Sequence, residues 1–148
     1  MECITVAMTE AQLKDIIKSG SANLYVLYGA ETYLTEQYAR RIAATTVEEG
    51  FDAFNLQRFD GQEATVQQLE EAAEALPLMS DRKCVLVRDY DVASDPEKAV
   101  ELIAHLPDTC VLVFWYITVQ PDNRKNAWKT FLQQAEKSAL PVSIKTRR

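Results

Sequence analysis

Three short stretches of this sequence are apolar at every position: Leu24–Tyr28, Cys84–Val87 and Cys110–Tyr116. Short unbroken apolar runs are typical of β-strands that are covered on both faces of a sheet. Two weaker runs, Phe54–Phe59 and Leu140–Ile144, bring the number of predicted strands to five. The run that starts at Cys110 is the most apolar, so we expect it near the middle of the sheet.

Stretches with helical periodicity separate the predicted strands. Thr9 and Gln12 form a capping box at the start of the first helix, and Gly20 is expected to end it. Asp95 followed by Pro96 is a second clear helix start. Further helices are predicted from about Glu31 to Glu49, closed by Gly50, from Val66 onward, and from Asp122 or Asn123 onward. Strands that alternate with helices predict a parallel sheet with helices on both faces, and hence one three-layer α/β domain.

Size and charge exclude several classes of function. The chain has 148 residues and a net charge of −6, which opposes binding of the whole domain to a phosphate backbone. It has no apolar run of some twenty residues and no basic-then-apolar leader, so we expect neither a membrane span nor a signal peptide. Three widely spaced cysteines, Cys3, Cys84 and Cys110, are unlike a disulfide framework or a zinc site. Cys84 and Cys110 open apolar runs, so we expect these two to be buried thiols. We therefore expect a cytoplasmic protein without a bound metal.

The segment Glu70–Arg88 carries an apolar pair at an unusual place. The helix in front of it is predicted to bury one row of side chains, Val66, Leu69, Ala72, Ala73 and Leu76. Pro77 cannot continue that helix, so Leu78 and Met79 fall in a short connection before the next strand. Apolar side chains in a loop either cover the domain's own core or anchor a partner. The residue pattern leaves both possibilities open.

The sequence offers little catalytic machinery. In parallel α/β folds, ligands bind at the carboxyl ends of the strands, and a phosphate loop there needs several glycines, a lysine and a hydroxyl. The first strand is instead followed by Gly29, Ala30, Glu31 and Thr32, with one glycine and a carboxylate that would face any phosphate. This junction argues against nucleotide hydrolysis. His105, the only histidine, lies near a predicted helix end, where we expect a structural or solvated side chain rather than part of a hydrolase triad.

A signalling domain of the receiver type is an alternative. Asp89 follows the third predicted strand, Thr118 the fourth and Lys145 the fifth, which is the order of functional residues in receiver domains. Such a domain also needs an acidic pair after the first strand to hold magnesium, and only Glu31 is present there. Asp89 would be the phosphate acceptor in this alternative.

Three segments, taken in order, follow a known pattern. The first, Leu24–Leu34, is a strand that ends in Gly-x-Glu-x-x-Leu, and the second is Phe59-Asp60-Gly61. The third, Leu76–Lys83, has leucine, proline, two large apolar residues, serine, an acid, arginine and a base before a strand. Their order and spacing resemble the N-terminal domain of the delta subunit of the bacterial DNA polymerase III clamp loader, over about Ala22 to Ile144.

This resemblance implies an AAA+-like, P-loop-like fold with a parallel sheet of about five strands between helices. Gly29, Ala30, Glu31 and Thr32 would be a degenerate phosphate loop that does not bind nucleotide, so no cofactor is expected. The chain would be a non-catalytic part of the polymerase III holoenzyme, a nucleotidyltransferase complex. Residues 1–148 would form the N-terminal domain alone, without the helical lid and C-terminal collar of the family.

The resemblance also implies a role in DNA replication and a set of partners. Leu78 and Met79 would enter a pocket on the sliding clamp and help to open its ring, with Leu76 and Pro77 shaping the approach. Met79 departs from the family pattern, in which an aromatic residue is usual, although a thioether can still fill an irregular apolar pocket. Other loader subunits would bind mainly through the absent domains, DNA would be contacted only indirectly, and no membrane would be involved.

Overall fold

The apolar runs form one five-stranded parallel sheet with the strand order β2-β3-β4-β1-β5. This computed structural model describes residues 10–20, 22–29, 31–122, 124–137 and 141–146. The strands are β1 (Leu24–Gly29), β2 (Leu56–Asp60), β3 (Lys83–Arg88), β4 (Cys110–Trp115) and β5 (Pro141–Thr146). The α-helices are α1 (Glu10–Ser19), α2 (Thr32–Thr46), α3 (Asp52–Asn55), α4 (Val66–Glu74), α5 (Pro96–Ala104) and α6 (Asn126–Lys137), and a 3₁₀ turn spans Val92–Ser94.

The chain crosses the sheet twice over long distances. After β1 it passes to the edge strand β2, returns through β3 to β4, and then passes over β1 to β5 at the other edge. Strand β4 is therefore central, pairing with β3 through Cys84↔Val111 and with β1 through Leu24↔Leu112. This confirms the predicted central position of the most apolar run.

Alternate side chains of the strands enter two separate cores. On one face, Tyr25, Leu27, Cys84, Leu86, Val111 and Val113 pack against α1 and α2. On the other face, Val26, Val85, Val87, Leu112 and Phe114 pack against α4, α5 and α6. Aromatic rings pack edge to face in the second core: the centroids of the Phe114 and Phe131 rings lie 5.5 Å apart, at an interplanar angle of 88°. The prediction of three layers is confirmed.

Several local predictions are confirmed. Gly20 ends α1 with a left-handed φ of 68°, and its N–H donates to the Ile16 carbonyl oxygen at 3.0 Å. The Asp95 carboxylate caps α5 by accepting from the Lys98 N–H, and Pro96 occupies the first turn. Cys84 and Cys110 are buried free thiols, one in each core. His105 lies at the end of α5, where its Nδ1 is 3.1 Å from the Glu101 carbonyl oxygen.

Four predicted boundaries differ from the structure. The second strand begins at Leu56 rather than Phe54, because residues 52–55 form the short helix α3. Helix α2 ends at Thr46 rather than near Gly50, since the next residue, Val47, is extended. Helix α6 begins at Asn126, three or four residues later than predicted. Helix α4 ends at Glu74, which leaves Leu76 outside the helix. The predicted capping residue Thr9 lies outside the described residues.

Within the described ranges, no helix is both long enough and apolar enough to cross a membrane.

Candidate functional site

The four residues Leu76, Pro77, Leu78 and Met79, hereafter the apolar corner, connect α4 to β3. The exposed fractions are 82% for Leu76, 49% for Leu78 and 78% for Met79. The prediction that Leu76 lies on the buried face of α4 is therefore wrong. Ala75 already adopts an extended conformation, with φ −64° and ψ 135°, so the helical register is lost before Leu76. The result is a cluster of exposed apolar side chains on the surface.

The backbone of the apolar corner is held by a side chain from a distant part of the sequence. The Asn55 Nδ2 donates to the Leu78 carbonyl oxygen at 2.9 Å, and the Leu78 N–H donates to the Asn55 Oδ1 at 2.7 Å. Asn55 ends α3 and is completely buried. Its amide thus satisfies both backbone groups of Leu78, as a neighbouring strand would, and fixes the two peptide units on either side of the Leu78 Cα.

Met79 has a left-handed backbone, with φ 56°. Outside glycine, asparagine and aspartate this conformation is uncommon and costs roughly 1–2 kcal/mol. The chain then turns through Ser80, whose hydroxyl donates to the Arg82 carbonyl oxygen at 3.2 Å. A strained residue persists where the surrounding structure fixes it, and the flanking hydrogen bonds of Leu78 and Ser80 do so here.

Two cations fix the end of the connection to the rest of the domain. The Arg82 guanidinium donates to the carbonyl oxygens of Gly20 at 2.7 Å and Ala22 at 3.0 Å, which joins it to the segment between α1 and β1. Lys83 is 3% exposed, and its ammonium donates to the Ala72 carbonyl oxygen in the last turn of α4 and to Gln57. Burial lowers the pKa of Lys83. Both cations are structural rather than free to bind a partner.

Phe54 is a further exposed apolar residue, one position before the residue that holds the apolar corner. It directly precedes Asn55, the residue that binds Leu78, and it is 57% exposed. The sequence pattern placed Phe54 in the second strand, where it would have been an ordinary sheet residue. The helical turn α3 instead turns it outward.

The apolar corner and the predicted degenerate phosphate loop lie at opposite edges of the sheet, where these two edges are the ones formed by the amino ends and the carboxyl ends of the strands. The corner precedes β3, at the amino ends of the strands, whereas Gly29 is the last residue of β1, at the carboxyl ends. Strands of this length separate the two edges by about 20 Å, at a rise of about 3.3 Å per residue. They are therefore two distinct surfaces.

At the phosphate-loop edge, the side chain of Gln120 forms hydrogen bonds with both backbone groups of Gly29. The Gly29 N–H donates to the Gln120 Oε1 at 3.0 Å, and the Gln120 Nε2 donates to the Gly29 carbonyl oxygen at 3.3 Å. Glu31 and Thr32 start α2, and the Glu31 carbonyl oxygen accepts from the Thr35 N–H. Ala30 lies outside the described residues. The glycine amide that a phosphate loop offers to its ligand is thus already bonded within the domain.

Asp89 is buried rather than available as a phosphate acceptor. It is 2% exposed, and its Oδ1 accepts from the backbone N–H groups of Ile117, Thr118 and Val119 at 2.8, 2.9 and 3.0 Å. Asp89 therefore holds the loop that follows β4. Receiver-type domains also have the strand order 2-1-3-4-5, whereas this sheet has 2-3-4-1-5. The receiver alternative is wrong on both counts.

Sequence reasoning missed the two amides that organise these surfaces. Asn55 and Gln120 each bind both backbone groups of one residue, across 23 and 91 positions of the chain respectively. A polar side chain in the strand-like run Phe54–Phe59 was the available signal for Asn55, because a buried amide requires partners. No local pattern indicated which residue the partner would be. In the described part of the chain, no group of three or more His, Cys, Asp or Glu side chains could hold a metal ion.

The fold defines the class of the protein. The structure is similar to the DNA clamp loader delta protein of Bacillus subtilis, with a TM-score of 0.75 and 24% identity over 93% of this chain and 42% of that one. It is also similar to a DNA polymerase III gamma subunit-related protein of Thermotoga maritima, with a TM-score of 0.62 and 13% identity over 93% of this chain and 46% of that one. The domain therefore has the AAA+-like fold of clamp-loader subunits.

The sequence defines the family within that class. Residues 25–142 match the model of the DNA polymerase III delta subunit family, and the chain belongs to that family of DNA replication proteins. It is 36% identical over 91 residues to DNA polymerase III subunit delta of Bacillus subtilis strain 168. That match covers 60% of this chain and 26% of the relative, so the matched segment spans about a quarter of the relative's length.

Proposed function

We propose that this domain binds a sliding clamp through the apolar corner and thereby helps to open the clamp ring for loading onto DNA. The observation that carries the proposal is the exposure of Leu76, Leu78 and Met79 on a backbone that Asn55 holds in place. Exposed apolar clusters on a rigid support are typical of sites that bind another protein. Family membership supports a clamp as that protein.

The free energy available from the corner is sufficient for a specific contact but not for a whole interface. Burying the exposed parts of Leu76, Leu78 and Met79 would contribute roughly 3–6 kcal/mol, at about 1.5–3 kcal/mol for a fully buried side chain. Association costs on the order of 4–15 kcal/mol. The three side chains would therefore act as the central anchors within a larger rim of contacts, and other loader subunits would add to the complex through regions outside this chain.

Gel filtration with a purified sliding clamp tests the proposal. The wild-type chain should co-elute with the clamp, and the double variant Leu78→Ala/Met79→Ala should not. Leu78 is half-exposed and Met79 largely exposed, so the double variant should keep its circular dichroism spectrum and nearly keep its thermal unfolding midpoint. Tyr33→Ala is a matched control, because Tyr33 is 71% exposed and lies in α2, near the opposite edge of the sheet. Undiminished co-elution of the double variant would contradict the assignment of these residues.

We also propose that the domain contributes no ATP hydrolysis of its own. The lysine of a phosphate loop is absent, and the Gly29 N–H and carbonyl oxygen are both bonded to Gln120. Calorimetric titration with ATP and magnesium should give no binding heat. A saturable heat with the wild-type chain that becomes stronger in Glu31→Gln or Gln120→Ala would show that this edge binds nucleotide after all.

A further inference from the structure

We propose that Asn55 is a positioning residue for clamp binding, because it preorganises the peptide that presents Leu78 and Met79. The inference rests on the proposed function. It adds a residue that does not contact the clamp itself and acts by holding the apolar corner. Asn55 itself is completely buried. Its role would be to keep the corner in the conformation that the clamp pocket accepts.

The geometry of the Asn55–Leu78 pair carries the inference. The two hydrogen bonds, at 2.7 and 2.9 Å, lie within the ordinary range for N–H···O bonds, and they engage the N–H and the carbonyl oxygen of a single residue. An amide that binds both groups holds the peptide units on either side of Leu78 and leaves the φ and ψ angles of this residue little freedom. The Leu78 side chain is half-exposed, although its backbone is bonded to a buried group. This combination is required of a side chain that must be held in place and still be available to a partner.

The left-handed backbone of Met79 depends on the same pair. Met79 follows Leu78 directly and has φ 56°, a conformation that a free loop would rarely populate at methionine. Without the Asn55 amide, the connection would lose its fixed point before Met79 and would sample many conformations. The clamp would then have to order these residues on binding, and ordering a backbone costs conformational entropy. Because folding has already ordered this backbone, the entropy lost on clamp binding is smaller.

A matched pair of variants separates positioning from general stability. Asn55→Ala removes the amide that holds Leu78, and Gln120→Ala removes an equivalent amide that holds Gly29 at the opposite edge of the sheet. Asn55→Asp keeps an acceptor for the Leu78 N–H but loses the donor to the Leu78 carbonyl oxygen. The dissociation constant for a purified sliding clamp is measured by calorimetry for each full-length variant of this chain, alongside thermal unfolding.

We expect Asn55→Ala to weaken clamp binding about tenfold or more, Asn55→Asp to weaken it by less, and Gln120→Ala to leave it within about twofold of wild type. Equal losses in Asn55→Ala and Gln120→Ala would show a stability effect and overturn the inference. If Asn55→Ala binds like wild type while Leu78→Ala/Met79→Ala does not bind, Asn55 has no positioning role and the proposed function stands. If the wild-type chain does not bind the clamp, both fall.

A measurement on the wild-type chain does not depend on whether a variant folds. Amide hydrogen exchange by NMR should show the Leu78 N–H exchanging at least tenfold more slowly than the intrinsic rate of an unprotected amide, although it lies in an exposed connection. Addition of the clamp should slow it further. Exchange of the Leu78 N–H at the intrinsic rate in the free chain would overturn the preorganisation of the corner.

Discussion

Asn55 and Leu78 lie 23 positions apart, and the side-chain amide of the first binds both backbone groups of the second, at 2.7 and 2.9 Å. The pair connects the short helix α3, which precedes the edge strand β2, to the connection that precedes the neighbouring strand β3. Because these two strands are paired in register, Leu56↔Cys84 onward, the pair continues their association beyond the sheet. The apolar corner is therefore an extension of the folded domain and not a free loop.

Met79→Gly should separate stability from clamp binding. Relief of the left-handed backbone contributes roughly 1–2 kcal/mol, and the greater freedom of glycine in the unfolded chain removes about 0.4–1 kcal/mol of it. The free energy of unfolding in urea denaturation should therefore stay unchanged or rise by up to about 1.6 kcal/mol. On the proposed function, clamp affinity should fall about tenfold, because a side chain that is 78% exposed in the free domain is lost.

The matched control for this prediction is Met79→Ala. Alanine removes nearly the same contact area but keeps a Cβ in the left-handed conformation. It should lose as much clamp affinity as Met79→Gly without the gain in stability. A glycine variant that is clearly less stable than the alanine variant would contradict the assignment of strain to Met79.

Phe54→Ala should weaken clamp binding by a smaller factor, about two- to fivefold, if the apolar corner is the centre of the interface. Phe54 is 57% exposed and precedes the residue that holds Leu78, so it is expected at the rim of the contact. Rim residues contribute less than central anchors. Calorimetry with the clamp provides the measurement, and Tyr33→Ala, with its exposed ring in α2, provides the control. A loss as large as that of Leu78→Ala/Met79→Ala would move the centre of the interface towards α3.

The sheet was predictable because its strands are covered on both faces. Val85 and Val111 are fully buried although they point to opposite faces of the sheet, which requires the unbroken apolar runs that the sequence displays. The end of α4 was not predictable in the same way. Leu76 keeps the spacing of a buried helical residue, but the Lys83 ammonium binds the Ala72 carbonyl oxygen in the last turn and the chain leaves the helix at Ala75. That contact comes from tertiary structure.

The candidate site was predictable only in part. Pro77 and the apolar pair that follows it identified the location of the corner, since proline ends a helix and the loop residues are too apolar for an ordinary turn. The conformation of the corner depends on Asn55 and Arg82, whose partners are 23 and about 60 residues away. Sequence periodicity reports only on neighbours along the chain. Long-range hydrogen bonds to backbone groups leave no periodic trace.

Gly61→Ala should destabilise the fold by about 1–3 kcal/mol, because a side chain there has no space. A Cβ at Gly61 would lie 2.5 Å from the Arg88 carbonyl oxygen and would also meet the backbone of Tyr90. The Gly61 N–H already donates to the Arg88 carbonyl oxygen at 2.6 Å, so the two backbones cannot separate without losing that bond. This close approach is the physical reason for glycine in the Phe59-Asp60-Gly61 segment.

Gly50→Ala is the contrasting variant for Gly61→Ala. A Cβ at Gly50 meets nothing within 4 Å, so only its positive φ of 93° opposes the change. Its cost should be limited to backbone strain, roughly 1–2 kcal/mol. Guanidinium denaturation of both variants measures the difference in the free energy of unfolding. A Gly61→Ala variant as stable as wild type would contradict the packing of this segment against the end of β3.

Alkaline pH should destabilise the domain, because burial raises the pKa of several core groups. It raises the pKa of Cys110 from 9.0 to about 12 and that of Tyr25 from 10.0 to about 12, and it also raises the pKa values of Cys84 and Tyr116. In the unfolded chain these groups lose their protons at their ordinary values, so the stability they contribute is present below about pH 9 and is lost as the pH rises towards 12. Each group contributes a slope of up to about 1.4 kcal/mol per pH unit in its own window.

Lys83 has the opposite effect on stability at alkaline pH, but it is one group against several buried thiols and phenols. Burial lowers its pKa from 10.5, so the folded state gains stability as the pH rises towards that value. The net effect should still be a fall in the free energy of unfolding between pH 9 and pH 11, measured by urea denaturation under reducing conditions. Cys110→Val removes one titrating group without changing the apolar character of β4, so its stability should fall less steeply over the same range. A wild-type chain whose stability is constant from pH 8 to pH 11 would show that these thiols and phenols are not shielded from water in the folded domain.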